Sequence, residues 1–209
     1  MNQADKIEKD YNRHLKIVET YISGDRKDRV LSMLKDLEDN LVVSPSSGNR
    51  KYHNAFAGGY LDHVNRVVQL SLKQREFWEP FFDIDFTEEE LVFSALFHDI
   101  GKLGDVDMPY YIPQEDEWRK NKLGEVYMRN TSLDYMLPQD RSLFLLQRYG
   151  IQCTSKEFLA IKLYSGMYDE TNKPYLVTYD IENSLKTILP YIIHISSFMA
   201  AKFSQMKNK

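Results

Sequence analysis

The sequence predicts an all-α fold, organised as one helical domain preceded by a helical arm. Three observations predict this class. Apolar residues recur at three- and four-residue steps, glycines and capping residues mark helix ends, and no segment reads as a convincing strand. The length of 209 residues fits one domain, and a content of 43% hydrophobic and 28% charged residues is typical of globular proteins.

The N-terminal arm is predicted over residues 1–45 and the main domain over 46–209. Within the arm we expect helices at 4–23 and 27–41, with a break at Gly24 and Asp25. The second helix has a single apolar stripe formed by Val30, Leu34 and Leu41 with other leucines between them. A loop rich in serine, with Pro45 and Gly48, follows at 44–48 and separates the arm from the domain.

The main domain is predicted to contain six further helices. The first covers 60–75. The second begins after Thr87, which forms a capping box with Glu90, and covers 88–98. Residues 105–122 read as a loop, and short helices are predicted at 123–136, 138–149 and 155–164. Residues 172–180 read as a loop or a short extended piece, and the last helix covers about 187–206 with Pro190 in its first turn.

Composition excludes several classes of function. A net charge of −4 and a pI near 5.8 argue against a nucleic-acid binder with a broad basic surface. The single cysteine, Cys153, excludes a disulfide framework and a cysteine-based zinc site. No secretory signal and no run of 18 apolar residues is found, so we expect a cytoplasmic location without membrane contact.

Two short segments contain the residues best suited to chemistry. His63 follows Tyr60 by three residues and precedes Val67 by four, which places it near the buried face of its helix. His98 also faces inward, and Asp99 follows it directly. A buried carboxylate beside two imidazoles requires a compensating charge, which a divalent cation supplies. Three such ligands suit a transition metal and leave positions open for water and a phosphate oxygen.

A purely structural interpretation of the same residues stays open. Buried histidines are usually hydrogen-bonded within the protein, and an aspartate at a helix end is often a turn former. Lys102, which is placed to contact a phosphate oxygen, equally suits a residue that complements the helix dipole.

The two segments resemble the HD-domain family of metal-dependent phosphohydrolases. The matching pieces are Gly-Gly-Tyr-Leu-Asp-His, ending at His63, and Leu-Phe-His-Asp-Ile-Gly-Lys, which contains His98, Asp99 and Lys102. The resemblance covers roughly residues 50–203. It implies an all-α HD bundle in which His63, His98 and Asp99 bind metal and Lys102 contacts the substrate phosphate. Family members cleave phosphomonoesters or phosphodiesters, commonly of nucleotides.

The sequence departs from the family pattern at two places. The late helix has Ser197 where the family has an aspartate ligand, and Tyr164-Ser165 stands where other members show a His-Asp pair. No histidine lies between His98 and His194, so we expect one divalent metal (Mn, Fe, Zn, Co, Ni or Mg) and not two. His194 is a candidate replacement ligand because it lies three residues from Ser197, although core packing is the alternative.

Further candidates lie outside the matching segments. His53, beside Arg50 and Lys51, is a candidate for a rim that binds phosphate, and Arg141 is a candidate phosphate ligand; a solvated loop and an exposed helix residue are the alternatives. Other candidates are two loop carboxylates and a set of aromatic residues suited to base stacking: Asp169, Glu170, Tyr110, Tyr111, Trp118, Tyr127 and Tyr135.

Three hypotheses for function follow. The first is a one-metal phosphohydrolase of the HD type that acts on a nucleotide or a related phosphate ester. The second is an HD-fold module that has lost turnover and binds a nucleotide or a protein, which the residues at 164, 165 and 197 favour. The third is a helical scaffold in which the His-Asp pair is structural. The sequence does not indicate an oligomeric state.

Overall fold

The computed structural model describes residues 2–178 and 180–207, and these residues form an all-α protein with two minor sheets. This confirms the predicted fold class. The α-helices of the described residues are α1 (Gln3–Tyr21), α2 (Gly24–Asp36), α3 (Glu38–Val43), α4 (Gly59–Trp78), α5 (Glu88–Phe97), α6 (Pro138–Arg148), α7 (Ser155–Leu163), α8 (Lys173–Leu176) and α9 (Leu189–Lys207). Short 3₁₀ helices occupy Ile100–Leu103, Gly166–Tyr168 and Glu170–Asn172, and a π-helix occupies Arg119–Leu123.

Most predicted helices lie close to their observed positions. The capping box at Thr87 and Glu90 is present, and Pro190 stands in the first turn of α9. The predicted helix at 27–41 is divided at Leu37, whose backbone leaves helical geometry between α2 and α3. The loop or extended piece expected at 172–180 contains the short helix α8, while Tyr179 lies outside the described residues.

The prediction of a helix at 123–136 is wrong. Residues 104–129 form two antiparallel pairs of short strands: β1 (Gly104–Asp105) with β2 (Met108–Pro109), and β3 (Tyr111–Pro113) with β4 (Tyr127–Arg129). Gly124 has a φ of +76°, a left-handed conformation that ends the preceding π-helix. Residues 127–129 instead pair with β3 by cross-strand hydrogen bonds, although their sequence pattern predicts a helix.

The core is built around α4, which packs against α1, α5 and α9. Helix α7 packs against α5 and α9, and α6 packs against α7 and the 3₁₀ helix at 100–103. Buried side chains of the first three helices, including Val18, Val30 and Leu41, belong to the same core cluster as those of α4 and α5. The domain boundary at residue 45 stays a prediction. In the described part of the chain, no helix is long and apolar enough to cross a membrane.

Candidate metal centre

The structure brings together the histidines and the aspartate of the two segments that the sequence singles out. His63, His98 and Asp99 each offer one ligand atom, and these atoms all lie within 4.8 Å of one another. All three side chains are buried, with at most 1% of their surface exposed. The arrangement therefore joins the start of α4 to the end of α5.

Tight packing around the first turn of α4 fixes the position of His63. Gly58 precedes the helix with a φ of +78°, and a Cβ at Gly59 would collide with the Asn54 carbonyl. The Asn54 amide donates to Asp62 Oδ2 at 2.8 Å, and Arg66 donates to the same oxygen at 2.7 Å. Asp62 is thus held by hydrogen bonds and ion pairs, while His63, one position later, points into the core.

The end of α5 positions the other two side chains. Every residue from Leu91 to Phe97 is buried, and the helix ends at His98 and Asp99, after which the chain forms the 3₁₀ helix at 100–103. Gly101 packs directly on α6, where a Cβ would collide with the Pro138 carbonyl, and its N–H donates to Ser142 Oγ at 2.9 Å. This close contact anchors the turn that carries Asp99.

The hydrogen bonds of the three side chains determine which atoms can bind a cation. His98 Nδ1 lies 2.8 Å from the Ala95 carbonyl, which can only accept, so Nδ1 carries the proton and Nε2 retains its lone pair. His63 Nδ1 is buried without a hydrogen-bond partner. Asp99 Oδ1 accepts a hydrogen bond from the Tyr164 hydroxyl at 2.7 Å. Asp99 Oδ2 forms an ion pair with Lys102 Nζ at 2.6 Å, but the angles of this contact are not those of a hydrogen bond.

The electrostatics of the cluster favour protonation states that suit metal ligation. Burial, together with the neighbouring charges, holds the pKa of His63 well below its usual value, and burial lowers the pKa of His98, so both imidazoles are neutral. Burial alone would raise the pKa of Asp99, but Lys102, His98 and the Tyr164 hydroxyl outweigh it and lower that pKa. The group presents two neutral imidazoles and one carboxylate, which fits a Zn, Mn, Fe, Co or Ni ion.

The other ligand candidate of the late helix, His194, lies outside this group. His194 Nδ1 is 2.8 Å from the Tyr164 carbonyl, and its ring packs over Gly166, where a Cβ would collide with it. His194 thus has the backbone-carbonyl contact of the packing alternative, although its side chain is half-buried and not part of the core. Ser197 is nearer to the group, with Oγ 3.4 Å from His98 Nε2.

His53 and Arg141 are both less exposed than the structural alternatives predicted, which were a solvated loop and an exposed helix residue. The His53 ring centroid is 4.5 Å from that of His63, its Nε2 is 2.9 Å from Ser46 Oγ, and burial lowers its pKa to about 3. His53 therefore borders the group and is not a solvated loop residue, unlike the exposed Arg50 and Lys51.

Arg141 is buried and not exposed, and it donates to the Asp134 carbonyl. Asp169 accepts from the Gln139 amide at 2.5 Å, and Glu170 is exposed. Neither carboxylate belongs to the buried group.

Sequence reasoning missed the part that Tyr164 plays. It noted this residue only as a departure from the family pattern, yet the Tyr164 hydroxyl bonds Asp99 and its ring packs edge-on against His98 at 4.8 Å. Among the aromatic candidates, Tyr111 lies near Asp99: burial raises the Tyr111 pKa and the Asp99 charge raises it further. Trp118 and Tyr135 are exposed. The sequence could not predict the contact between Tyr164 and Asp99, because it joins two segments that are distant in sequence.

Together the fold and the site define an all-α protein with a buried cluster of two histidines and one aspartate. The chain is similar to the dihydroneopterin 2',3'-cyclic phosphate phosphodiesterase of Methanocaldococcus jannaschii, with 24% identity over 113 residues. The match covers 50% of this chain and 43% of that protein, so the chain spans less than half the length of this relative. No family model and no solved structure matches the chain.

Proposed function

We propose that this protein is a metal-dependent phosphohydrolase of the HD type, with one divalent cation held by His63, His98 and Asp99. The observation that carries the proposal is the convergence of these three buried side chains within 4.8 Å, with a lysine ammonium beside the carboxylate. The similarity to a phosphodiesterase supports the hydrolysis of a phosphate ester. The proposed substrate is a nucleotide or a related phosphate ester.

The cation, when bound, would act as a Lewis acid on a phosphoryl oxygen and acidify a water molecule. Residues of the chain would hold and orient this cation. The Ala95 carbonyl fixes the tautomer of His98, and the Tyr164 hydroxyl restrains one oxygen of Asp99. Lys102, with 13% of its side chain exposed, would exchange its contact with Asp99 for one with a phosphate oxygen.

The direct test is phosphate release from mononucleotides, and ring opening of 2',3'-cyclic nucleotides, with added Mn²⁺ or Zn²⁺ and with EDTA. We expect His98→Gln to lower kcat/KM by at least about a hundredfold, because it removes a ligand. His194→Gln, which changes a histidine outside the group, is the matched control for metal binding and should keep the bound metal. Hydrolysis that persists unchanged in metal-free protein and in His98→Gln would contradict the mechanism.

Lys102→Met separates phosphate binding from metal binding in the same assay. A hydrogen bond to a charged group contributes about 1.5–3 kcal/mol, so KM is expected to rise by roughly ten- to a hundredfold while bound metal is retained. Loss of metal from Lys102→Met, measured by elemental analysis, would assign Lys102 a structural role at the centre and not a substrate contact.

A second candidate function, a binding module without turnover, is favoured by the closure of the site. Both oxygens of Asp99 are already contacted, one by Tyr164 and one by Lys102, and the three proposed ligands are almost inaccessible. Such a module would bind phosphate esters without releasing phosphate. Nucleotide binding detected by isothermal titration in samples that show no turnover with any metal would support the binding module over the phosphohydrolase.

A further inference from the structure

A groove lined by aromatic side chains adjoins the metal centre. It has a volume of about 280 Å³ and lies between the segment at 164–168 and the face of α9 that carries Ser197, Phe198 and Lys202. Tyr164 and Ser197 line this groove and also contact the centre, through Asp99 Oδ1 at 2.7 Å and His98 Nε2 at 3.4 Å. The groove therefore adjoins the proposed catalytic group, and Tyr164 and Ser197 lie between the two.

The aromatic rings of the groove are arranged to extend a stack. The rings of Tyr168 and Phe198 are close to parallel, with an interplanar angle of 21° and centroids 6.2 Å apart. Tyr168 is 76% exposed and Tyr52, which also lines the groove, is 59% exposed, so these large ring surfaces face solvent. Lys202 Nζ lies 5.5 Å from the Phe198 ring and supplies a positive charge at this end.

We propose that this groove binds the planar heteroaromatic part of the substrate while its phosphate lies at the metal centre. The inference rests on the proposed function and specifies its substrate class as phosphate esters that carry an aromatic ring system. A cavity of roughly 150 Å³ holds a benzene ring, so the observed volume accommodates one or two fused rings. Aromatic faces stack on such rings, and Lys202 complements an anionic or carbonyl-rich edge.

The assignment replaces the aromatic set that the sequence indicated. Tyr110 and Tyr111 pack edge-on against each other near β3, and Arg129 covers Tyr135 at 5.0 Å. In contrast, Tyr168 and Phe198 flank residues that touch His98 and Asp99. The site for a ring is therefore assigned to α9 and the segment before α8.

The test compares the binding of three non-hydrolysable phosphonates by isothermal titration in the presence of Mn²⁺. These are 2-naphthylphosphonate, cyclohexylmethylphosphonate and methylphosphonate. The wild-type protein should bind the naphthyl compound at least about tenfold more tightly than either of the others, since stacking on one aromatic side chain is worth that factor or more. Equal affinities for the naphthyl and cyclohexylmethyl compounds, or no binding of the naphthyl compound, would overturn the proposal.

Variants locate the effect within the groove. Tyr168→Ala and Phe198→Ala should each remove most of the naphthyl preference and leave methylphosphonate affinity unchanged, whereas Tyr135→Ala, which changes an equally exposed tyrosine, should keep the preference. A preference that survives both groove variants contradicts the assignment. Because phosphonates are not hydrolysed, absence of turnover would defeat the proposed function without removing this binding result.

Discussion

At the scale of single residues, the two oxygens of Asp99 define the candidate centre. One accepts from the Tyr164 hydroxyl and the other pairs with the Lys102 ammonium. A carboxylate restrained on both sides loses little conformational freedom when it binds a cation. This gives Tyr164 a positioning role, although it is not itself a proposed ligand.

Tyr164→Phe tests that role. Removing the hydroxyl leaves the ring in place against His98 but frees Asp99 Oδ1, so we expect metal affinity to fall by about tenfold, as for other partners of ligating carboxylates. The measurement is competition with a chelator of known affinity. Tyr168→Phe, which removes a hydroxyl from an exposed ring, is the control. Equal affinities in wild type and Tyr164→Phe would contradict the role.

The sequence predicted the residues of the buried group, but it could not predict what surrounds them. The motif residues lie at the start of one helix and at the end of another, and such local patterns can be recognised in a sequence. The contacts of Asp99 with Tyr164, of His53 with His63 and of Arg141 with the Asp134 carbonyl depend on how distant segments pack. Helical periodicity carries no information about that packing.

At the scale of elements, a capping box fixes the start of α5, the helix whose end carries His98 and Asp99. Thr87 accepts from the Glu90 N–H at 3.1 Å, and Glu90 accepts from the Thr87 N–H at 2.9 Å. His98 and Asp99 follow directly after Phe97, the last residue of this helix. Elements with strong local signals, such as this one, were predicted correctly. The segment at 123–136 was not, because its strand forms only by pairing with β3.

Thr87→Ala measures the contribution of this cap. Loss of a capping hydroxyl typically lowers the free energy of unfolding by about 1 kcal/mol. Thr20→Ala is the matched control: the Thr20 hydroxyl bonds the Lys16 carbonyl of its own helix and is exposed, so its loss should change stability by less than about 0.5 kcal/mol. Urea unfolding of both variants measures the two changes in the free energy of unfolding. Equal losses of stability would contradict a specific contribution from the cap.

At the scale of the whole molecule, buried neutral histidines make stability depend on pH. His14 is buried, bonds Asn65 Oδ1 at 3.0 Å through Nδ1 and has a pKa that burial lowers to about 4. In the unfolded chain its pKa is near 6.5, so between these values the unfolded state binds more protons. Its contribution to the free energy of unfolding is complete above about pH 6.5 and is lost as the pH falls towards 4.

Replacing His14 tests this pH dependence. The pKa difference corresponds to roughly 3 kcal/mol, so His14→Gln should flatten the fall in stability between pH 7 and pH 4.5 by an amount of that order. Urea unfolding in EDTA at both pH values, compared with wild type under the same conditions, removes any contribution from bound metal. Parallel pH profiles for the two proteins would show that His14 does not titrate as the structure indicates.

The central claim is that three buried side chains from α4 and the end of α5 hold one cation. Its most direct test is elemental analysis of protein equilibrated with Mn²⁺ or Zn²⁺ and then dialysed, with circular dichroism to confirm folding. We predict about one metal per chain for wild type and for His194→Gln, and almost none for His98→Gln and Asp99→Asn. A wild-type protein without metal, or an Asp99→Asn protein that keeps its full complement, would contradict the claim.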